Sequence, residues 1–299
     1  MSGGILLVGT ISNVDSTIER ELKVILRALG SFKNIEIFLV ESDSSDNTLE
    51  VLRKIQKKDS RLTFISKGHL RQHFPNRIER IAYCRNVYVE FIKKNLQEYH
   101  WQYVAVADLD GMNKRLRRKA IDSCFKTDIK WDGIMANQKY GYYDIYALRA
   151  EKWVETDCFS ELQKLKNSSP QPKVYQNSIV NFIINFNHFD NLRDIAIFSK
   201  MRVIPRTNAP IKVESAFGGF AIYKSSVFLK SDYESLNYKE SEHVEFHRKL
   251  IKIGFNFFIK PDLINNNFNS YNISKFKAIR FLLELRKVWQ RFTLNSVKN

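Results

Sequence analysis

In the stretch AVADLDGMN, residues 105–113, Asp108 and Asp110 stand either side of a leucine directly after an apolar run, and a glycine follows. Two readings of that spacing are open. Val104, Val106 and Leu109 suit a pleated strand and Asp-Gly suits a turn, so the acids can simply end a strand. Alternatively, the pair holds a divalent cation and an anionic ligand at the carboxyl end of a buried strand, where open α/β sheets bind ligands. A second set of candidate groups lies in SEHVEFHRKL. There His243 and His247 are four apart, on one face of a helix, with Glu242 beside them. Metal pairs use that spacing, and so do ordinary surface helices.

These residues need a scaffold, and the composition allows one. Of 299 residues, 44% are hydrophobic and 13% aromatic, enough for a large core and against disorder. Lys and Arg number 48 against 32 Asp and Glu, a formal charge of +16, so the surface attracts anions. Nucleic acid, an anionic membrane face and a phosphorylated small molecule all satisfy that charge. Cys84, Cys124 and Cys158 are widely spaced, with neither a CxxC nor a zinc-like cluster, which fits reduced structural thiols in the cytoplasm. No apolar run approaches the roughly 18 to 20 residues that span a bilayer, and GGILLVG lacks a signal peptide's basic start and length. The expectation is a cytoplasmic protein.

The positioning elements follow from periodicity and caps. GGILLVGTI reads as a strand, STIERELKVILRALG as a helix capped by Ser16 and stopped by Gly30, and IEIFLVES as a second strand. SSDNTLEVLRKIQKK is a second helix, RLTFISKG a third strand, and RIERIAYCRNVYVEFIKKNLQ a helix leading into the strand that carries YVAVADLDG. Asp108 and Asp110 thus close a nucleotide-binding-like α/β half. A helix over about 115–125 and a strand at WDGIMANQ come next. Between Thr156 and Glu214 the periodicity weakens, KNSSPQPK signals a loop, and the region reads as a variable, acceptor-facing part with a lid. Order returns with VESAFGGFAIYKSSVF, a helix at SEHVEFHRKLIKIG, the strand FNFFIKPDL and a basic-aromatic tail.

The order of ESDSSDNT after a strand, Arg85-Asn86 in a helix, a DxD at a strand end, GGFAIYKSSVF and then an acid before GFNFFIKPDL resembles the GT-A class of nucleotide-sugar glycosyltransferases. Within it, ESDSSDNT, RIERIAYCRN, YYDIYALR and SEH are most similar to the Cap59-type capsule-associated mannosyltransferase family, although that family tends to blur the DxD that this chain keeps. The resemblance implies an α/β, Rossmann-like GT-A fold: a mixed, mainly parallel sheet flanked by helices over residues 1–270, divided into a nucleotide-binding half (1–113) and an acceptor-binding half (114–270). Residues 271–299 form a basic amphipathic tail. The implied activity is transfer of a sugar from a UDP- or GDP-sugar to a glycan or lipid-linked acceptor in capsule or lipopolysaccharide synthesis, with Mn2+ or Mg2+ as cofactor.

The same resemblance assigns roles. Asp110 ligates the metal, and Asp108 faces the ribose and metal-bound water. Glu41 and Asp43 hydrogen-bond base and ribose; the alternative is that Asp43, Ser44 and Asp46 merely cap a helix. Thr10 offers backbone contacts to the base, while Arg85 lies near the diphosphate or pairs with an acid of the site. From the residue types, Gly218 and Gly219 either let donor and acceptor approach the backbone closely or form a tight turn before a strand. Tyr143, Asp144 and Arg149 contact the acceptor sugar by stacking and hydrogen bonds, the alternative being that Tyr143 and Tyr146 just pack. Glu242 is the base if the reaction inverts, and His243, or else His247, completes the metal's coordination.

In the tail, Lys277, Arg280, Glu284, Lys287 and Arg291 share one helical face, and Phe281, Leu282, Leu285, Val288, Trp289 and Phe292 spread over much of the rest. That pattern fits either a peripheral contact with an anionic membrane or a helix packed on the body of the protein. Two other functions compete. A nucleotidyltransferase usually opens with a Gly-rich phosphate loop, which VGTISNVDST lacks. Nucleic-acid binding has only the charge in its favour: no binding motif is present and the basic residues are spread rather than set in one stripe, so no nucleic acid is expected as a partner.

Overall fold

The computed structural model describes residues 3–173, 178–234, 240–269 and 272–296. Of the tail residues, the side chains of Val288, Arg291 and Phe292 lie outside what is described.

Strands β1 (Gly4–Ile11), β2 (Asn34–Glu41), β3 (Leu62–Ser66) and β4 (Trp101–Ala107) alternate with helices α1 (Ile18–Ala28), α2 (Thr48–Lys58) and α3 (Arg77–Tyr99). Every adjacent pair among the four strands is parallel, with Val8 opposite both Phe38 and Val106. The second half contributes α4 (Arg118–Cys124), β5 (Gly133–Gln138), α5 (Cys158–Ser168), α6 (Ser178–Ala196), β6 (Ile211–Val213), β7 (Phe220–Lys224), α7 (Glu242–Lys252), β8 (Phe257–Asn266) and α8 (Lys277–Ser296). One eight-stranded sheet results, in the order β3-β2-β1-β4-β7-β5-β8-β6. The expected α/β, mixed and mainly parallel sheet is what forms.

Strands buried on both faces need apolar helices on each side. Ile18, Leu22 and Ile25 of α1 and Ile121 of α4 cover one face, while Tyr88, Val89 and Ile92 of α3 and Phe246 and Leu250 of α7 cover the other. The placement of β7 matters most for the site. It runs antiparallel to β4, with Phe220 opposite Ala107, so the residues entering β7 meet the residues leaving β4. Gly219 and Asp108 are therefore neighbours, and the Asp108 amide donates to the Gly219 carbonyl at 3.0 Å.

Three local expectations are corrected. Ser16 does not cap α1: Thr17 holds that position, and its hydroxyl donates to the Leu109 carbonyl at 2.9 Å, tying the helix to the DxD turn. The weakly periodic 156–214 region contains two helices, α5 and α6. The 19-residue α6, SIVNFIINFNHFDNLRDIA, escapes a periodicity search because asparagines interrupt an apolar surface that is shared between α5 and α8. Strand β8 continues through Pro261 to Asn266, at a register shift where Asn137 donates to the Pro261 carbonyl.

The tail is also different. Arg280 does not lie on an exposed basic face; it is 5% exposed, and its guanidinium donates to both carboxylate oxygens of the fully buried Asp190 at 2.7 Å. Helix α8 is thus docked on α6, and Phe281 packs on Phe182 and Phe186. Its opposite side leaves Leu282, Leu285 and Trp289 exposed.

Candidate active site

The carboxyl ends of β1, β2 and β4 open onto a cavity of about 760 Å³. At one end it is walled by Thr10, Ser12 and Asp43 with Arg71, Arg77 and Arg80, and at the other by Tyr143, Asp144, Tyr146, Phe159 and Phe198. Asp108, Asp110, Arg85 and Glu242 lie between. Ser274 is also on the wall, so the segment entering α8 belongs to this site rather than to a detached tail.

Arg85 organises the centre. Its guanidinium is buried, donates from Nε to Glu242 Oε1 at 2.9 Å and from Nη1 to Tyr88 Oη at 3.1 Å, and lies over the rings of Phe217 and Tyr233. Asp108 Oδ1 is 4.0 Å from Nη2. Glu242 occupies the first turn of α7, where the helix dipole favours a carboxylate, and Ser241 caps that helix. A buried guanidinium is tolerated here because its charge and donors are matched.

Asp108 sits deep in the cleft with 35% of its side chain open to it. Burial, and then the charge of Asp110, push its carboxyl up to about 7, against the pull of Arg85. Asp110 is raised too, chiefly by burial, while its own backbone N–H and the charges of Arg77 and Lys114 hold it down. Asp144 is raised by burial, although the Gly218 amide donates to it at 2.9 Å and favours the charged form. Gly218 itself adopts φ +70°, and a Cβ there would stand 2.7 Å from the Ala136 carbonyl, so the close backbone approach requires glycine.

Of the residues singled out in the sequence, the fold brings Thr10, Asp43, Arg85, Asp108, Asp110, Tyr143, Asp144, Glu242 and His243 to the cavity. Gly218 and Gly219 border it through Asp144 and Tyr143. Asp43 takes φ +58° and accepts from the Arg71 amide at 2.9 Å, with Arg80 Nε at 3.5 Å. Three others are not brought there. Glu41 is buried against β3, accepting from the Ser66 hydroxyl and the Ser44 amide. Arg149 is locked between Asp157 and Glu240 and donates to the Leu148 carbonyl at 2.7 Å. His247 is a core residue, its two ring nitrogens taken by Ser215 Oγ at 3.0 Å and Tyr223 Oη at 2.9 Å.

Burial, and then the charge of Arg85, drop the His247 pKa to about 3. His243 is held well below the usual histidine range for the same reasons, and it stacks on Phe217 with 4.2 Å between ring centroids. Both imidazoles are therefore neutral. Among the described residues no group of three or more His, Cys, Asp or Glu is arranged to hold a metal ion.

Arg71 and Arg77 are the site residues the sequence reading passed over. Arg77 begins α3 directly after the capping Asn76, where a cation opposes the helix dipole. That local misfit was a legible signal that the charge serves something outside the helix.

A mainly parallel sheet with carboxylates and arginines around a cleft at its strand ends is the α/β arrangement that the GT-A resemblance implied. Residues 10–93, from the end of β1 through most of α3, match the family model described as Glycosyl transferase family 2. The chain matches no curated protein. Among solved structures it is similar to the mannosyltransferase PcManGT of Pyrobaculum calidifontis in complex with GDP-Man and Mn2+, at 13% identity and a TM-score of 0.49, over 91% of this chain and 59% of that one. It is also similar to S. aureus TarS 1–349 in complex with UDP-GlcNAc, at 11% identity and a TM-score of 0.45, over 91% of this chain and 60% of that one. The chain spans about three fifths of the length of these structures.

Proposed function

We propose that the protein is a glycosyltransferase that moves a sugar from a nucleoside-diphosphate donor to an acceptor hydroxyl. The observation that carries this reading is the meeting of Asp108 and Asp110 with Arg77 and Asp43 on one side and the Arg85–Glu242 pair on the other, around one cleft. The family match over residues 10–93 supports it. The nucleoside lies toward Thr10 and Asp43, and Arg77 and Arg71 face the diphosphate. Asp144 and Tyr143 hold sugar hydroxyls by hydrogen bonding and ring contact.

Asp108 and Asp110 suit a divalent cation, because hard oxygen donors are what Mg2+ and Mn2+ take, and a carboxyl pushed up by burial and by its neighbour's charge, as Asp108 is, is relieved by a dication. When bound, Mn2+ or Mg2+ supplies neutralisation of the departing diphosphate. Glu242 accepts the acceptor's proton on Oε2, the oxygen not engaged by Arg85, while Arg85 on Oε1 keeps the carboxylate oriented.

The acceptor is a glycan or lipid-linked glycan. The narrower likeness to the Cap59-type family makes GDP-mannose the first donor to test. Among the described residues no helix is long and apolar enough to cross a membrane. Peripheral contact is proposed instead through Leu282, Leu285 and Trp289 of α8, spaced three and four apart beside the exposed Arg286 and Lys287.

A screen of UDP- and GDP-sugars for donor hydrolysis, with and without Mn2+, tests the reading. One donor should be hydrolysed in a metal-dependent way by the wild type and not by Asp110→Ala. Hydrolysis that survives in Asp110→Ala, or no turnover of any donor with or without acceptor glycans, would sink it.

A further inference from the structure

The fold gathers basic residues that are scattered in the sequence. Arg20, Lys23 and Arg27 are exposed on α1 at spacings of three and four, a row about 10 Å long. Residues 114–119, cationic at every position but the buried Leu116, run from the DxD turn into α4. The two sets form one surface. Helices α1 and α4 share a core cluster through Ile25 and Ile121, and Arg118 lies so close over Gly30 that a Cβ there would be 2.4 Å from its Nη2. At the other end, the Thr17–Leu109 hydrogen bond fixes the start of α1 beside Asp110.

Among the described residues none of these cations takes part in a salt bridge within 4.0 Å, whereas many other surface cations do. The acids on the same helices are few. Glu21 is buried and accepts from the Asn113 amide, which leaves Glu19 and Asp122. Like charges held this close with no ion-pair contact within 4.0 Å raise the energy of the folded protein and concentrate anions at its surface.

The patch also carries no large exposed apolar side chain on α1, on α4 or between Asp110 and Arg118; those among the described residues lie elsewhere, on α6 and α8 above all. Nothing on it would insert into a bilayer. It likewise offers no exposed aromatic ring on which nucleic-acid bases could stack. What fits is a polymer in water that is anionic and not aromatic.

We propose that the α1–α4 face binds a polyanionic acceptor, a glycan chain bearing phosphodiester or carboxylate groups, and leads its end to the Asp110 edge of the cleft. This rests on the glycosyltransferase reading of the cleft and names its acceptor class.

The test uses the full chain and inorganic polyphosphate as probe, with affinity followed against KCl concentration. Arg117→Ala/Arg118→Ala/Lys119→Ala should weaken binding at least about tenfold at low salt and lower the log–log salt slope by about 2, from about 0.7 for each lost contact to a flexible polyanion. Arg20→Ala/Lys23→Ala/Arg27→Ala should behave alike and guards against misfolding of α4. The control Arg53→Ala/Lys57→Ala/Lys58→Ala on exposed α2 removes the same charge and should leave both quantities unchanged. All three variants should keep wild-type donor hydrolysis, and both patch variants should raise KM for a phosphorylated or carboxylated oligosaccharide without lowering kcat. Equal weakening by the control, tighter binding of single-stranded RNA than of polyphosphate of the same charge, or binding to phosphatidylglycerol vesicles that polyphosphate does not compete would each overturn the proposal. Patch-dependent polyphosphate binding by a protein that turns over no nucleotide sugar would instead reject the cleft reading.

Discussion

Replacing Asp108 by asparagine should stabilise the metal-free protein, by an amount that grows from about pH 4 to about pH 7. In the folded state the Asp108 carboxyl is pushed from 3.8 up to about 7 by burial and by Asp110. Below about pH 4 the residue is protonated in both folded and unfolded chains, so it has no effect on stability. Between about 4 and 7 the unfolded chain ionises first, and stability falls as pH rises. Above 7 the penalty is complete. At 1.36 kcal/mol per pKa unit the whole displacement corresponds to about 4 kcal/mol. A third of the side chain is open to the cleft, and water there screens the repulsion, which brings the expected gain to about 1–2 kcal/mol. For a chain of this length that is roughly 2–4 °C in Tm. Thermal unfolding in EDTA at pH 5, 6, 7 and 8 gives the comparison. Asp108→Asn should show its smallest gain at pH 5 and its largest at pH 8. A gain of the same size at every pH, or a loss at pH 8, would refute the electrostatic account of the pair.

Glu242→Gln should lower transfer to acceptor at least about a hundredfold with donor affinity nearly unchanged, as read by acceptor-dependent rates beside donor titration. Arg85→Met strands a buried carboxylate and should cost about 3–5 kcal/mol in urea unfolding, a loss that Arg85→Met/Glu242→Gln partly restores. His247→Ala breaks two buried hydrogen bonds and should destabilise the fold, yet leave the Mn2+ concentration for half activity where it was; a shift in that concentration would return the histidine to the metal. Gly218→Ala should lose about 1–3 kcal/mol more than Gly68→Ala, since both glycines have positive φ but only Gly218 faces a carbonyl within 3 Å of the new Cβ. Leu282→Glu/Trp289→Glu, both on the outer side of α8, should abolish flotation with anionic vesicles without loss of Tm, and undiminished flotation would remove the membrane role of that helix.

Much of the N-terminal half was legible in the residue order. Apolar runs bounded by turn residues, and amphipathic stretches between them, depend on neighbours in the chain, so β1 through β4 and their helices could be read directly, along with the DxD at a strand end. Glycines before β7 and an acid at the start of α7 were visible for the same reason. Partnership was not legible. Arg85 meets Glu242 across 157 positions, and Arg280 meets Asp190 across 90. Glu41, Arg149 and His247 carry the residue types of a site and were turned into the body of the protein, each because buried polar atoms must find donors or acceptors and found them there. The basic residues looked dispersed along the chain and form one face only because α1 and α4 pack side by side. Periodicity, caps and turns are local interactions and are written in adjacent residues. Which charges pair, which acids share a cleft and which cations go unpaired depends on a sheet order in which β7 enters antiparallel between β4 and β5, and that order is set by the packing of the whole core.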